Sequence, residues 1–223
     1  MKIFSSRREN RGMTLIELLT ILAIIAALAA LWFSATDRAK ARAIRIACVS
    51  NLKQTGLAFK IWKGDNVGRY PMAVPITNGG SMEFTTGPNV FRHFQVMSNE
   101  LSSPIVVICP SEEVINLRRP ATNFTDFNNS NISYFVGVDA TDTNANMVLA
   151  GDHNITNGTP LRNGLLELTA GRSASWTAEM HKEVGNIALA DGSVQQESPA
   201  GLQNQISNTG VATNRLQMPV LGP

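Results

Sequence analysis

Gly12-Met13-Thr14-Leu15-Ile16-Glu17 leads into LLTILAIIAALAALWF at residues 18–33, and this stretch sets the terms for the rest of the chain. From Met13 to Ala35 there are 23 residues whose only charge is Glu17. A helix of that length reaches roughly 34 Å at about 1.5 Å per residue, enough to cross a bilayer core of about 30 Å. Lys2, Arg7, Arg8 and Arg11 precede it, a basic flank that the positive-inside rule keeps cytoplasmic, so everything beyond the span is expected on the far side.

An ordinary secretory leader is cut after its apolar core, at small residues. Ala26, Ala27, Ala29 and Ala30 stand there, but the apolar run flows on into a helical pattern, and the distinctive junction, Gly12 before Met13, lies on the cytoplasmic side. Glu17 also needs a reason, since an acidic side chain at a helix centre in hydrocarbon costs about 2.5–3.5 kcal/mol. Cleavage between Gly12 and Met13 would create an α-amino group at the same membrane depth, a cation that a neighbouring copy's Glu17 could meet.

This constellation resembles the class III leader of type IV prepilins and type II secretion pseudopilins: a short basic leader, Gly at the cut, Glu as fifth mature residue, and an apolar helix. The resemblance implies that Gly12 is the residue before the cut by a prepilin peptidase, that Met13 becomes N-terminal and N-methylated, and that Glu17 is the acidic assembly position. Met13 departs from the family's usual Phe. The expected organisation is a leader at 1–12, a transmembrane and assembly helix at 13–35, and an extracytoplasmic domain at 36–223 that includes an amphipathic helix at 36–63.

Composition agrees with one domain plus a membrane segment: 223 residues, 43% hydrophobic and 16% charged. The formal charge of +2 includes four basic leader residues and Glu9, so removing the leader takes away three and leaves −1. No block of like charges suggests nucleic acid, which is not expected as a partner. The two cysteines, Cys48 and Cys109, fall in the part expected outside the cytoplasm, where a disulfide persists; they form no CxxC or zinc-type spacing, and a bridge and two buried thiols both remain open.

Beyond the apolar run, Ile44, Cys48, Leu52, Thr55, Phe59 and Trp62 recur at steps of three and four, a helical stripe that predicts helix up to Gly64-Asp65-Asn66. Residues 64–89 read as an irregular loop rich in Gly and Pro. Pro88 is expected to open a short helix with Val90, Phe91, Phe94, Met97 and Leu101 on one face, and residues 105–109 read as a buried strand. Residues 116–131 read as loop. Strands are expected at 133–138, 147–150, 186–190 and 193–196, the last two joined by Asp191-Gly192 as a type I′ hairpin turn. Ser198, Pro199 and Gly210 bracket a final helix carrying Leu202 and Ile206, and residues 213–223 are expected to be extended.

The distal residues carry a second resemblance. His181, nine residues, then Asp191-Gly192 is similar to the H-x9-DG signature of a prepilin-type subfamily, and NLKQTGLAF at 51–59, RYP at 69–71 and CPS at 109–111 resemble its other blocks. The implied fold is α+β and pilin-like: a long N-terminal helix packed on a small antiparallel sheet, with short helices and long loops. The role of His181, Asp191 and Gly192 is not fixed by the motif; a His181–Asp191 hydrogen bond bracing the hairpin is the simplest reading.

No nucleophile with a base can be nominated, and no enzyme activity, cofactor or metal is expected. Asp139, Asp142, Asn144, Asn146 and Asp152 make an oxygen-rich stretch, yet Met147 stands where an EF-hand needs Gly and His153 where it needs Glu, so Asp/Asn turn chemistry is favoured over calcium. The expected role is a structural pseudopilin of a type II secretion filament, single-pass in the bacterial inner membrane with a periplasmic domain. Its partners would be the prepilin peptidase, copies of itself and other pseudopilins, membrane lipid and the inner-membrane assembly platform. A type IV pilus or competence pilin is the alternative, and a tethered enzyme or binding domain the more distant rival.

Overall fold

A computed structural model describes residues 12–112 and 118–221; at 30–35, 37 and 38 it describes helical backbone but not side chains. Residues 1–11 of the expected leader at 1–12, the first two residues of the expected 116–131 loop, and residues 222–223 lie outside the described residues. The chain divides into two units, Met1–Ala43 and Ile44–Pro223. Helix α1 (Leu15–Asp65) begins in the first and ends in the second. In the first unit every described large apolar side chain from Met13 to Leu28 is exposed. Among the described residues no helix is long and apolar enough to cross a membrane; the side chains at 30–35, which complete the run expected to span, are outside the description.

The second unit is built on a six-stranded antiparallel sheet ordered β4-β8-β1-β2-β6-β7, from β1 (Tyr134–Gly137), β2 (Val148–Asp152), β4 (Leu165–Leu168), β6 (Gly185–Leu189), β7 (Val194–Glu197) and β8 (Asn214–Gln217). A two-stranded ribbon pairs β3 (Ile155–Thr156) with β5 (Ser175–Trp176). The fold is therefore α+β and consistent with a pilin-like architecture. Alternation puts Tyr134, Val136, Ala188 and Ala190 in one core with Cys48, Leu52, Phe59 and Trp62 of α1, while Phe135, Ile187, Leu189 and Leu216 join a second core with Leu202 and Ile206 of helix α4 (Pro199–Asn208). Strand β2 breaks the alternation: Val148 lies in the second core but Leu149 and Ala150 both lie in the first, because the β2–β6 register shifts between Val148 and Ala150.

Several expectations change. Residues 105–109 form no strand; Pro104 presets a 3-10 turn at Pro104–Val107, capped by the Ser103 hydroxyl accepting from Ile105 N at 3.4 Å. Its backbone groups find partners elsewhere: Thr55 Oγ1 donates to Val106 O at 3.3 Å, Asn51 Nδ2 to Ile108 O at 2.8 Å, and Ser133 N to Val107 O at 3.0 Å. The helix expected from Pro88 starts later and breaks in two, α2 (Phe91–Gln95) and α3 (Ser98–Leu101), although Val90, Phe94, Met97 and Leu101 share the predicted buried face. The Asp191-Gly192 hairpin exists but is not type I′. Gly192 N donates to Leu189 O and Leu189 N to Ser193 O, both at 2.9 Å, and only Gly192 has positive φ (89°), so a type I turn is followed by a glycine bulge. The tail at 213–223 contributes β8, an interior strand of the sheet.

Gly56 lies in the interior of α1 where it meets the sheet. A Cβ built there reaches Ala188 Cβ at 3.7 Å, ordinary van der Waals distance. Gly56→Ala should therefore raise stability by about 1 kcal/mol through helix propensity alone. Denaturant unfolding checks this: the midpoint should rise at unchanged slope, and a fall would show that helix and sheet need closer backbone approach than 3.7 Å implies.

Candidate functional site

At the N-terminal end of α1 the predicted residues are local neighbours. Thr14 N and Thr14 Oγ1 each donate to Glu17 Oε2 at 2.8 Å, and Glu17 N donates to Thr14 Oγ1 at 3.3 Å. This reciprocal pair is a capping box, and Thr14-x-x-Glu17 was its readable signature in the sequence. Glu17 thus has donors of its own while its copy stands alone. A Cβ on Gly12 would meet nothing within 4 Å, so nothing described in the fold asks for glycine at that position. Met13 is 63% exposed, and the Gly12–Met13 bond, where the cut is expected, is open to solvent.

The second set of predicted residues is buried. Cys48, on the α1 stripe, and Cys109, just past the 3-10 turn, are joined as a disulfide with Cα atoms 4.8 Å apart. His181 sits beside them, its Nε2 at 3.4 Å from Cys109 Sγ and at 3.4 Å from Asp152 Oδ2. Asp152 ends β2 and is held by Asn186 of β6, whose backbone N and Nδ2 donate to Oδ2 at 2.7 and 2.8 Å; its Oδ1 has no hydrogen-bond partner among the described residues. Burial pushes the Asp152 carboxyl up to about 7, against the donors from Asn186, and burial with the Arg45 guanidinium nearby pushes His181 down to about 4. Between those limits the contact joins two neutral groups.

His181 does not brace the hairpin through Asp191. The five residues of β6 intervene, a rise of roughly 16 Å. Asp191 instead accepts from Ser193 N at 2.7 Å within its own turn, and its carbonyl accepts from Lys60 Nζ at 2.8 Å. His181, Lys182 and Glu183 all have positive φ, 52°, 56° and 62°, a left-handed turn of non-glycine residues that costs about 1–2 kcal/mol per residue and delivers the imidazole to the sulfur.

Sequence reasoning missed the neighbouring network. Glu112, fully buried, accepts at Oε1 from Arg118 Nε at 3.0 Å and meets His153 Nε2 at 2.8 Å. Arg118 also donates to the carbonyls of Asn129, Ile132 and Pro219, tying the C-terminal tail down. Asp152 closes an apolar run and belongs to the oxygen-rich stretch of the sequence, and neither signal announced the imidazole it meets. His93 is equally hidden, between Ser81 Oγ (2.7 Å) and Gln217 Oε1 (2.6 Å), and burial pushes it down to about 4. The oxygen-rich loop is spent on protein cations: Asp142 pairs with Lys63 and Asp139 with Arg215, while Asn144 Oδ1 accepts from Asn146 N at 3.1 Å.

Residues 7–33 match the family model described as the prokaryotic N-terminal methylation motif, which contains Gly12, Met13 and Glu17. Comparison with curated proteins and with solved structures gives no significant match. The motif supports a membrane-anchored, type IV pilin-like or pseudopilin-like protein that is processed by a prepilin peptidase and assembles with other subunits.

Two predictions follow from the buried cluster. Replacing Cys48 and Cys109 together by Ala opens a 61-residue loop and should lower stability by about 4 kcal/mol in the chain-entropy account; alkylation of the unfolded chain should find no free thiol before reduction and two after. The pH dependence of the disulfide-bonded protein is the other. His93 and His181 titrate near 6.5 when unfolded and near 4 when folded, so their contribution is complete above pH 6.5 and lost as pH falls toward 4. Asp152 moves from 3.8 up to about 7, so its contribution is complete below 3.8 and lost as pH rises toward 7. Two histidines against one aspartate leave a net gain of roughly 1.4 kcal/mol per unit between pH 4 and 6.5. Asp152→Asn should steepen that rise toward about 2.7 kcal/mol per unit, measured as urea midpoints across this window; parallel curves would refute it.

Proposed function

We propose that the chain is a structural subunit of an inner-membrane-anchored filament that serves type II protein secretion, and that it is not an enzyme. The observation that carries this is the N-terminal arrangement: an exposed Gly12-Met13 bond, a capping box on Glu17, and an exposed helical segment apolar on every side. A helix hydrophobic all round needs lipid or other helices about it. In the membrane pool it lies in the inner membrane with its N-terminus cytoplasmic and the domain periplasmic. After cleavage, the Met13 amine is N-methylated and becomes available to a neighbour's Glu17.

Assembly then exchanges neutral donors for a charged one. Glu17 leaves the Thr14 N–H and hydroxyl for the ammonium of an adjacent copy, a pair shielded from water by the packed helices. Removing one side of a buried pair costs about 3–5 kcal/mol, which disfavours each addition at least a hundredfold. Use in a type IV pilus or for competence rests on the same residues and is separated by phenotype: deletion should abolish secretion of folded exoproteins and leave piliation and DNA uptake intact.

Intact-mass analysis of membrane-extracted protein should give a chain beginning at N-methylated Met13, and recovery of full-length chain alone, with a prepilin peptidase present, sinks the reading. Gly12→Val should block the cut without affecting the domain, since a Cβ there meets nothing within 4 Å. Glu17→Gln should insert and fold normally yet give sheared-filament yields at least a hundredfold lower at equal membrane levels.

A further inference from the structure

Cys48, Cys109 and His181 are all buried, and their ligand atoms lie within 4.8 Å of one another. Asp152, fully buried, sits against the same imidazole nitrogen but lies outside this group. We infer that, when the disulfide is reduced, Cys48, Cys109 and His181 form a three-ligand site for a zinc ion, with water in the fourth tetrahedral position.

The geometry carries the inference. With zinc bonds of about 2.3 Å to sulfur and about 2.0–2.2 Å to nitrogen and oxygen, tetrahedral edges are about 3.5 Å for N···S and about 3.4 Å for N···O. His181 Nε2 is 3.4 Å from Cys109 Sγ in the oxidised fold. The sulfur–sulfur edge must open to about 3.8 Å, which cleavage of the S–S bond permits.

The chemistry balances simply. A phosphine or dithiol reductant supplies two electrons, two protons complete the thiols, and zinc entry expels those two protons to solvent. Two thiolates and Zn²⁺ leave a neutral site, next to Arg45, whose Nη2 donates to the His181 carbonyl at 3.3 Å. Metal would then hold helix to domain before the thiols are oxidised.

The test uses the full chain in detergent, reduced with a phosphine, stripped with a chelator, and titrated with Zn²⁺ and then Co²⁺. Reduced wild type should bind one Zn²⁺ and give the ligand-field bands of tetrahedral cobalt with thiolate charge transfer; the oxidised protein should bind at least a hundredfold more weakly. His181→Ala should weaken binding at least tenfold, and His153→Gln should not. Absence of stoichiometric zinc in the reduced wild type, folded or not, overturns the proposal, as does undiminished binding by His181→Ala. Should that variant not fold, cobalt-loaded wild type decides: one hyperfine-shifted imidazole supports the site, and none overturns it.

Discussion

The second unit depends on hiding one narrow stripe of α1. Cys48, Leu52, Thr55, Phe59 and Trp62 are each at most 5% exposed, whereas Ile46, Leu57 and Ile61 on the same helix are open to solvent. The sheet meets the stripe with small side chains, Ala150, Ala188 and Ala190, so the helix can lie close over β2 and β6. Polar groups on the same face do further work: Asn51 and Thr55 satisfy loop carbonyls, and Tyr134 Oη donates to Cys48 O at 3.3 Å. The helix is therefore both the wall of a core and a hydrogen-bonding template for a segment with no strand partner.

How much of this was readable follows from the kind of signal each element sends. The α1 stripe, the Asp-Gly hairpin and the Ser198–Gly210 helix are written in neighbouring residues, and all three are present in the fold. Pro104 overrode the β-branched run after it because a fixed φ is a stronger local instruction than strand propensity. Strands β4 and β8 pair residues about fifty apart in the chain, and nothing local in LLEL or NRLQ announces the partner. The capping box was legible and passed over; Asp152, Glu112 and Arg118 acquire meaning only once the sheet brings distant segments together.

The cluster about His181 gathers groups that simple stability does not favour. A left-handed turn, an acid with an unpartnered oxygen and a neutral imidazole each cost free energy, and the crosslink beside them contributes on the order of 4 kcal/mol in return. The motif's spacing between His181 and Asp191 reflects two separate duties, one at each end of β6, and not a contact.

The place of β8 has a consequence for biogenesis. Formed by residues 214–217, it lies between β4 and β1, and Gln217 reaches His93 while Pro219 accepts from Arg118. Until residues 214–217 emerge, β1 and β4 each present an unpaired edge to whatever lies nearby. The sheet therefore cannot close before β8 is made, and the incomplete sheet is a template for pairing with another nascent chain. A C-terminal truncation would remove a central stave, and a fusion there must leave residues 214–219 free to thread inward.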